Sequence, residues 1–176
     1  KTAARNILAR RVDWLHNFYK STDVDYRSAG ANGAAMRNLP IALVSYNDPH
    51  RLVRDSFLNA ITTHGHPRAI LGSILMGAAI QHALTSSNGQ DEELVDHARS
   101  VIDSAGAQAR DDRRISQWIE GWEKRGNVAK GAFKALMAET RHEADAFLQE
   151  MLRYRDRPAE DYFRLVGAFT PETRGS

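Results

Sequence analysis

Apolar residues return at three- and four-residue steps along almost the whole chain, and that period most limits the folds open to it. Ile7, Leu8, Val12, Leu15, Phe18 and Tyr19 keep this spacing near the start, which predicts an amphipathic helix facing a core. Leu52, Val53, Phe57, Leu58 and Ile61 repeat it after Asn47-Asp48-Pro49-His50, where Asp48 suits a helix cap and Pro49 the first helical position. The next run, Ala69, Ile70, Ile74, Leu75, Ala78 and Ala79, also holds Gly72 and Gly77. Such small residues let backbones approach closely, so this helix is expected to be central. Beyond the loop Ser86-Ser87-Asn88-Gly89-Gln90, helices are expected at about 91–104, 111–124, 128–153 and 158–166, with breaks at Gly126-Asn127 and Arg157-Pro158. No stretch sustains a period of two with β-branched residues, so no strand is expected. The fold class is all-α, with residues 1–176 forming a single domain without repeats.

Composition then narrows the function. The chain has 176 residues, long enough for one proper core, with 42% hydrophobic and 26% charged residues. A formal net charge of +2 gives no strongly cationic surface, so nucleic acid is not an expected partner. There is no cysteine, which excludes disulfides, a thiolate nucleophile and a Cys-ligated zinc, and fits the cytoplasm. The longest apolar run, from Ala69 to Leu84, contains Gln81 and His82 and is too short to span a bilayer. Neither a membrane partner nor a signal peptide is expected.

Two segments carry the chemistry. Ser28-Ala29-Gly30-Ala31-Asn32-Gly33-Ala34-Ala35-Met36-Arg37 is a loop of small residues with one amide. It reads either as a connector needing positive φ at Gly30 and Gly33, or as a ligand cradle in which those glycines give clearance and Asn32 offers a bifunctional amide. Arg37 either helps an anion or, as the favoured reading, forms a buried ion pair with a helix carboxylate such as Asp55. The second segment, Thr62-Thr63-His64-Gly65-His66-Pro67, reads as a helix end with histidines at the negative dipole end, or as an imidazole beside a polar ligand. Its histidines lack the i, i+4 spacing of a zinc pair and no third ligand is evident, so no metal site is assigned to them. His16, His50, His82, His97 and His142 are scattered and read as surface or helix-face residues. Trp14, Trp118 and Trp122 read as core anchors, with a peripheral patch of Trp118 and Trp122 as the alternative. Acids at 92–93 and 111–112 fall at helix starts, which explains them fully.

Together, Asn32-Gly33-Ala34-Ala35-Met36-Arg37 with Pro40, then Thr63-His64-Gly65-His66-Pro67 with Ala69 and Gly72, resemble the ADP-ribosylglycohydrolase family. The likeness is strong over residues 28–84, and Ala31 stands where the family pattern has its first glycine. The resemblance implies a compact orthogonal bundle of helices. It implies that Ser28, Gly30, Asn32 and Gly33 line an ADP-ribose cleft, that Met36 supports its wall, and that His64 faces the distal ribose or the diphosphate. It also implies chemistry by two Mg²⁺ ions held by carboxylates and threonine hydroxyls, acting on an ADP-ribose glycosidic bond.

The family's early Thr-Asp-Asp and late Asp-Thr-Asp-Thr motifs do not occur here, and Asp23-Val24-Asp25 does not replace them. The expectation is a central segment of such a hydrolase. It would supply ADP-ribose contacts, no catalytic residue and no metal ligand, with the remaining segments of the enzyme as its partner. A non-catalytic ADP-ribose or nucleotide-binding module, and a helical scaffold protein, are the competing readings.

Overall fold

The computed structural model describes residues 2–10, 14–23, 25–87, 91–158 and 160–161. Among them are eight helices: α1 (Thr2–Leu8), α2 (Gly33–Met36), α3 (Leu39–Ser45), α4 (Pro49–Ile61), α5 (Pro67–Thr85), α6 (Asp91–Asp111), α7 (Arg113–Gly126) and α8 (Ala132–Tyr154). Two 3-10 turns, Trp14–His16 and Tyr26–Ser28, complete the regular structure, and the only β pairing among the described residues is one bridge between Lys20 and Asp25. The all-α expectation holds.

Helix α5 is central, packing against α2, α3, α4, α6 and α8. Its sequence is apolar on nearly every side, which is what a helix surrounded by others requires. Gly77 lets α4 approach: a Cβ there would stand 3.0 Å from Leu52 and 3.1 Å from the Asn38 amide nitrogen. Gly72 has no such neighbour, so only one of the two glycines expected to permit close packing does so. Helix α4 starts as its sequence suggests, with Pro49 in its first turn and the Asp48 carboxylate accepting from the Arg51 N–H.

The expected N-terminal helix is instead short. Helix α1 stops at Leu8, which is 84% exposed, and Arg10 takes a left-handed conformation with φ 50°. Residues 11–13 lie outside the described residues. Phe18 and Tyr19 reach the core from a non-helical stretch, Phe18 meeting the Tyr26 ring edge-on at 5.2 Å. The three- and four-residue spacing there places aromatic anchors without a continuous helix behind them. Conversely, α6 runs past the expected end at 104 to Asp111, because 105–110 is rich in alanine with Gln108 and Arg110, good helix formers. Asp112 then caps α7. The Glu123 carboxylate accepts from the N–H groups of Gly131 and Phe133, fixing the start of α8. The helix expected over 158–166 lies almost wholly outside the described residues.

An aromatic cluster joins the loops to this frame. Tyr26, Trp118 and Phe133 are buried, and Trp118 meets Phe57 and Phe133 edge-on at 5.7 and 5.3 Å. The Tyr26 hydroxyl donates to the Ile61 carbonyl and accepts from Trp118 Nε1 at 3.0 Å. Trp122 Nε1 donates to the Gly65 carbonyl at 2.8 Å. Trp118 and Trp122 are therefore core anchors and form no peripheral patch, whereas the Trp14 side chain lies outside the described residues.

Gly65 is required by this packing, since a Cβ would fall 2.6 Å from the Tyr26 ring and 2.7 Å from its carbonyl oxygen. Two substitutions test the arrangement. Gly65→Ala is expected to cost about 3 kcal/mol through overpacking against backbone. Tyr26→Phe is expected to cost about 1–3 kcal/mol by stranding the Trp118 N–H and the Ile61 carbonyl. Denaturant midpoints read both losses; an unchanged midpoint for Gly65→Ala contradicts the close approach.

Candidate functional site

The two segments singled out by the sequence lie against each other. A Cβ on Gly33 would stand 3.2 Å from His64 Cε1 and 3.4 Å from Nε2, and one on Gly30 would stand 3.5 Å from the His66 ring. Each glycine of the loop thus faces one histidine of the doublet. Neither has the positive φ that a plain connector would need; among the described glycines only Gly131 does. Clearance for an imidazole, and not backbone conformation, is what glycine provides at Gly33, whereas a Cβ at Gly30 would make only ordinary contact with His66.

The histidines do not share a role. Helix α4 ends at Ile61, so His64 lies in the connector and not at a helix C-cap. His66 is the N-cap of α5, its Nδ1 accepting from the Arg68 N–H at 3.1 Å, with Pro67 in the first turn. The dipole reading of the doublet therefore fails for His66, which serves the start of the next helix.

Arg37 organises His64. Its guanidinium donates to the Asn59 carbonyl at 2.6 Å, the Ala60 carbonyl at 3.3 Å, Thr62 Oγ1 at 2.9 Å and Asn59 Oδ1 at 3.0 Å. It also donates to Thr63 Oγ1 at 2.5 Å. The expected ion pair with Asp55 is absent, because Asp55 pairs with Arg51 and Arg54. Arg37 instead closes the C-terminus of α4, where carbonyls lack helical partners and the dipole favours a cation. Thr63 Oγ1, having accepted from Arg37, has its own proton free to donate to His64 Nδ1, 2.8 Å away. Donation of that proton to Nδ1 corresponds to the Nε2–H tautomer of His64, and the ring edge carrying Nε2 is the one against Gly33. Burial lowers the His64 pKa below its ordinary value, and the Arg37 charge lowers it further, so the ring is neutral near pH 7.

The remaining proposed contacts sit on the loop's outer side. Asn32 is exposed, and its amide makes no cap bond to α2. Ser28 is exposed, its hydroxyl donating to the Asp25 carbonyl at 3.0 Å. Met36 is 73% exposed. Sequence reasoning passed over Asn38, which is fully buried: its amide nitrogen donates to Ser56 Oγ and the Ser73 carbonyl, and its oxygen accepts from Asn59. The signal was a polar residue beside an apolar run, with Ser56, Asn59 and Ser73 as polar partners on α4 and α5.

A family model described as ADP-ribosylglycohydrolase matches residues 1–166. The chain belongs to the ADP-ribosylglycohydrolase family. The match extends well beyond the motif-bearing stretch at 28–84, and the helical architecture agrees with it. No curated protein and no solved structure matches the chain. Family membership raises the question of metals. Among the described residues, no three histidine or acidic side chains are grouped to hold an ion. Asp25 caps the turn at Tyr26–Ser28 and pairs with Lys20, while Asp112 caps α7 and pairs with Arg114. The described residues do not fit a magnesium centre. No described helix is long and apolar enough to cross a membrane.

The neutral state of His64 gives a pH test, shared with His66 and His97, whose pKa values burial also lowers. Below about pH 6.5 the unfolded chain takes up protons that the folded rings resist, so stability complete above that pH declines as pH falls. Proton-detected titration should place His64 below the usual histidine range, and thermal melts should fall from pH 7 to 5. A His64 midpoint at or above the usual value contradicts the assignment.

Proposed function

We propose that this chain supplies the ADP-ribose contacts of an ADP-ribosylglycohydrolase. The observation that carries the reading is the apposition of Gly33 and the His64 ring edge that carries Nε2, with Asn32, the residue before Gly33, exposed. Gly30 and Gly33 offer backbone groups to the ligand while the His66 and His64 rings pack against them, and the exposed Ser28 hydroxyl adds a polar group at the rim. His64 Nε2–H donates to a sugar hydroxyl or a phosphate oxygen without adding a charge, and Arg37 holds it through Thr63. Met36 offers an apolar wall. These groups bind and orient; none of them is a nucleophile or a general acid.

In this reading the carboxylate and threonine donors for two Mg²⁺ ions lie outside the described residues, on the remaining segments of the enzyme, and the protein works in the cytoplasm. Nucleic acid and membranes are not its partners. A second reading, a non-catalytic ADP-ribose-binding module, is favoured by one observation: the acids described near the loop serve as caps and ion pairs. Both readings require the same cleft.

Calorimetry with ADP-ribose tests it. Asn32→Ala and His64→Ala are each expected to weaken binding about tenfold, the loss of one or two ligand hydrogen bonds. Equal affinity in both variants and the parent removes the cleft. Hydrolysis of ADP-ribosyl-arginine or -serine by this chain alone with Mg²⁺ would overturn the assignment of the metal ligands elsewhere; no turnover is expected.

A further inference from the structure

Arg27 precedes the loop and has no place in the reading above. Its guanidinium carbon lies 3.9 Å over the Trp122 ring, and the group also rests so closely against Gly126 that a Cβ there would collide with it. Trp122 is itself fixed, buried and bonded to the Gly65 carbonyl. The group is thus held by an aromatic face and a bare backbone together. Yet no acceptor meets it: Nε is buried without a hydrogen-bond partner, and no described carboxylate pairs with the terminal nitrogens. The neighbouring acids are otherwise engaged. The Asp25 carboxylate takes the backbone N–H of Arg27 and the Lys20 ammonium, and the Glu123 carboxylate takes the N–H groups of Gly131 and Phe133.

An unpaired buried donor on a cation is costly and calls for an acceptor. A guanidinium held flat on an indole keeps its in-plane edge of N–H groups for two oxygens at once, the geometry that suits carboxylate and phosphate. Lys124 and Arg125 in the last turn of α7 add positive charge nearby. We propose that Arg27, clamped by Trp122 and Gly126, is an oxyanion-binding site at the end of α7. A phosphate or a carboxylate is taken up at the N–H edge of the guanidinium, where Nε lacks a partner. The inference is independent of the ADP-ribose reading, since it uses none of the residues assigned to that cleft.

The experiment titrates the intact chain with inorganic pyrophosphate at constant ionic strength, reading the Arg27 Nε–H and Trp122 Nε1–H resonances. A parallel titration with acetate separates the phosphate source from the carboxylate source. Saturable shifts of the Arg27 signal are expected with one of the two. Arg27→Gln should weaken binding of that anion at least tenfold. Gly126→Ala keeps the charge but places a methyl where the guanidinium rests, and should weaken it comparably while α7 stays folded. Near-UV circular dichroism of the tryptophans verifies folding of both variants. An unmoved Arg27 resonance with both anions overturns the proposal. So does wild-type affinity in Gly126→Ala, which would reduce any effect of Arg27→Gln to loss of diffuse charge.

Discussion

The closure of α4 by Arg37 is the interaction on which the site rests. The end of a helix leaves carbonyls without their i+4 partners, and here those of Asn59 and Ala60 accept both from Arg37 and from backbone N–H groups of the connector that carries His64. A lysine would supply charge but not a planar fork able to reach Asn59, Thr62 and Thr63 together. Because all these acceptors are neutral, Arg37 keeps its full charge beside His64, which is one cause of the imidazole's low pKa. Burial is the larger cause, and the cation that closes the helix end adds to it.

That closure works because a second layer holds both of its ends. Arg37 follows the loop, and the next residue, Asn38, is buried with bonds to Ser56 on α4 and Ser73 on α5. Upstream of the loop, Tyr26 bonds to the last carbonyl of α4 and to Trp118 on α7. The loop is therefore pinned at both sides to the same helix end, while Asn32 between the pins stays exposed. Buried polar pairs of this kind are expensive to break once one partner is removed, which gives the short loop a defined position despite its glycines.

The parts legible in the sequence are those set by local rules. Asp48-Pro49 marks the start of α4, and the apolar surround of α5 marks it as central. The motif pair, read as a family pattern, brings Gly33 and His64 to one place. What escaped was decided by tertiary context. Arg37 looked like half of an ion pair because charge alone suggests a carboxylate, but the carbonyls of a helix end are invisible until the chain folds back. His66 looked like the end of one helix and proved to start the next, since a two-residue spacing before proline fits either side of a break. Leu8 kept the helical period yet remained exposed, because spacing records where side chains would align and not whether a partner lies opposite.

The placement of charge differs between the helices and the loop. Described acids are spread singly across the fold: Asp48 and Asp112 at helix starts, Asp55 between two arginines, Asp145 with Arg99, Glu143 with Arg68, and Glu123 on backbone N–H groups. Each of these has a neighbour that compensates its charge, and among the described residues no three histidine or acidic side chains gather to attract a divalent cation. Around the loop the arrangement is the opposite. A neutral imidazole presents an N–H, an amide stands exposed, and Arg37 lends a positive field from behind. In the proposed reading, groups of this kind receive a ligand that already carries negative charge and hydroxyls, without the desolvation cost of burying an unpaired carboxylate.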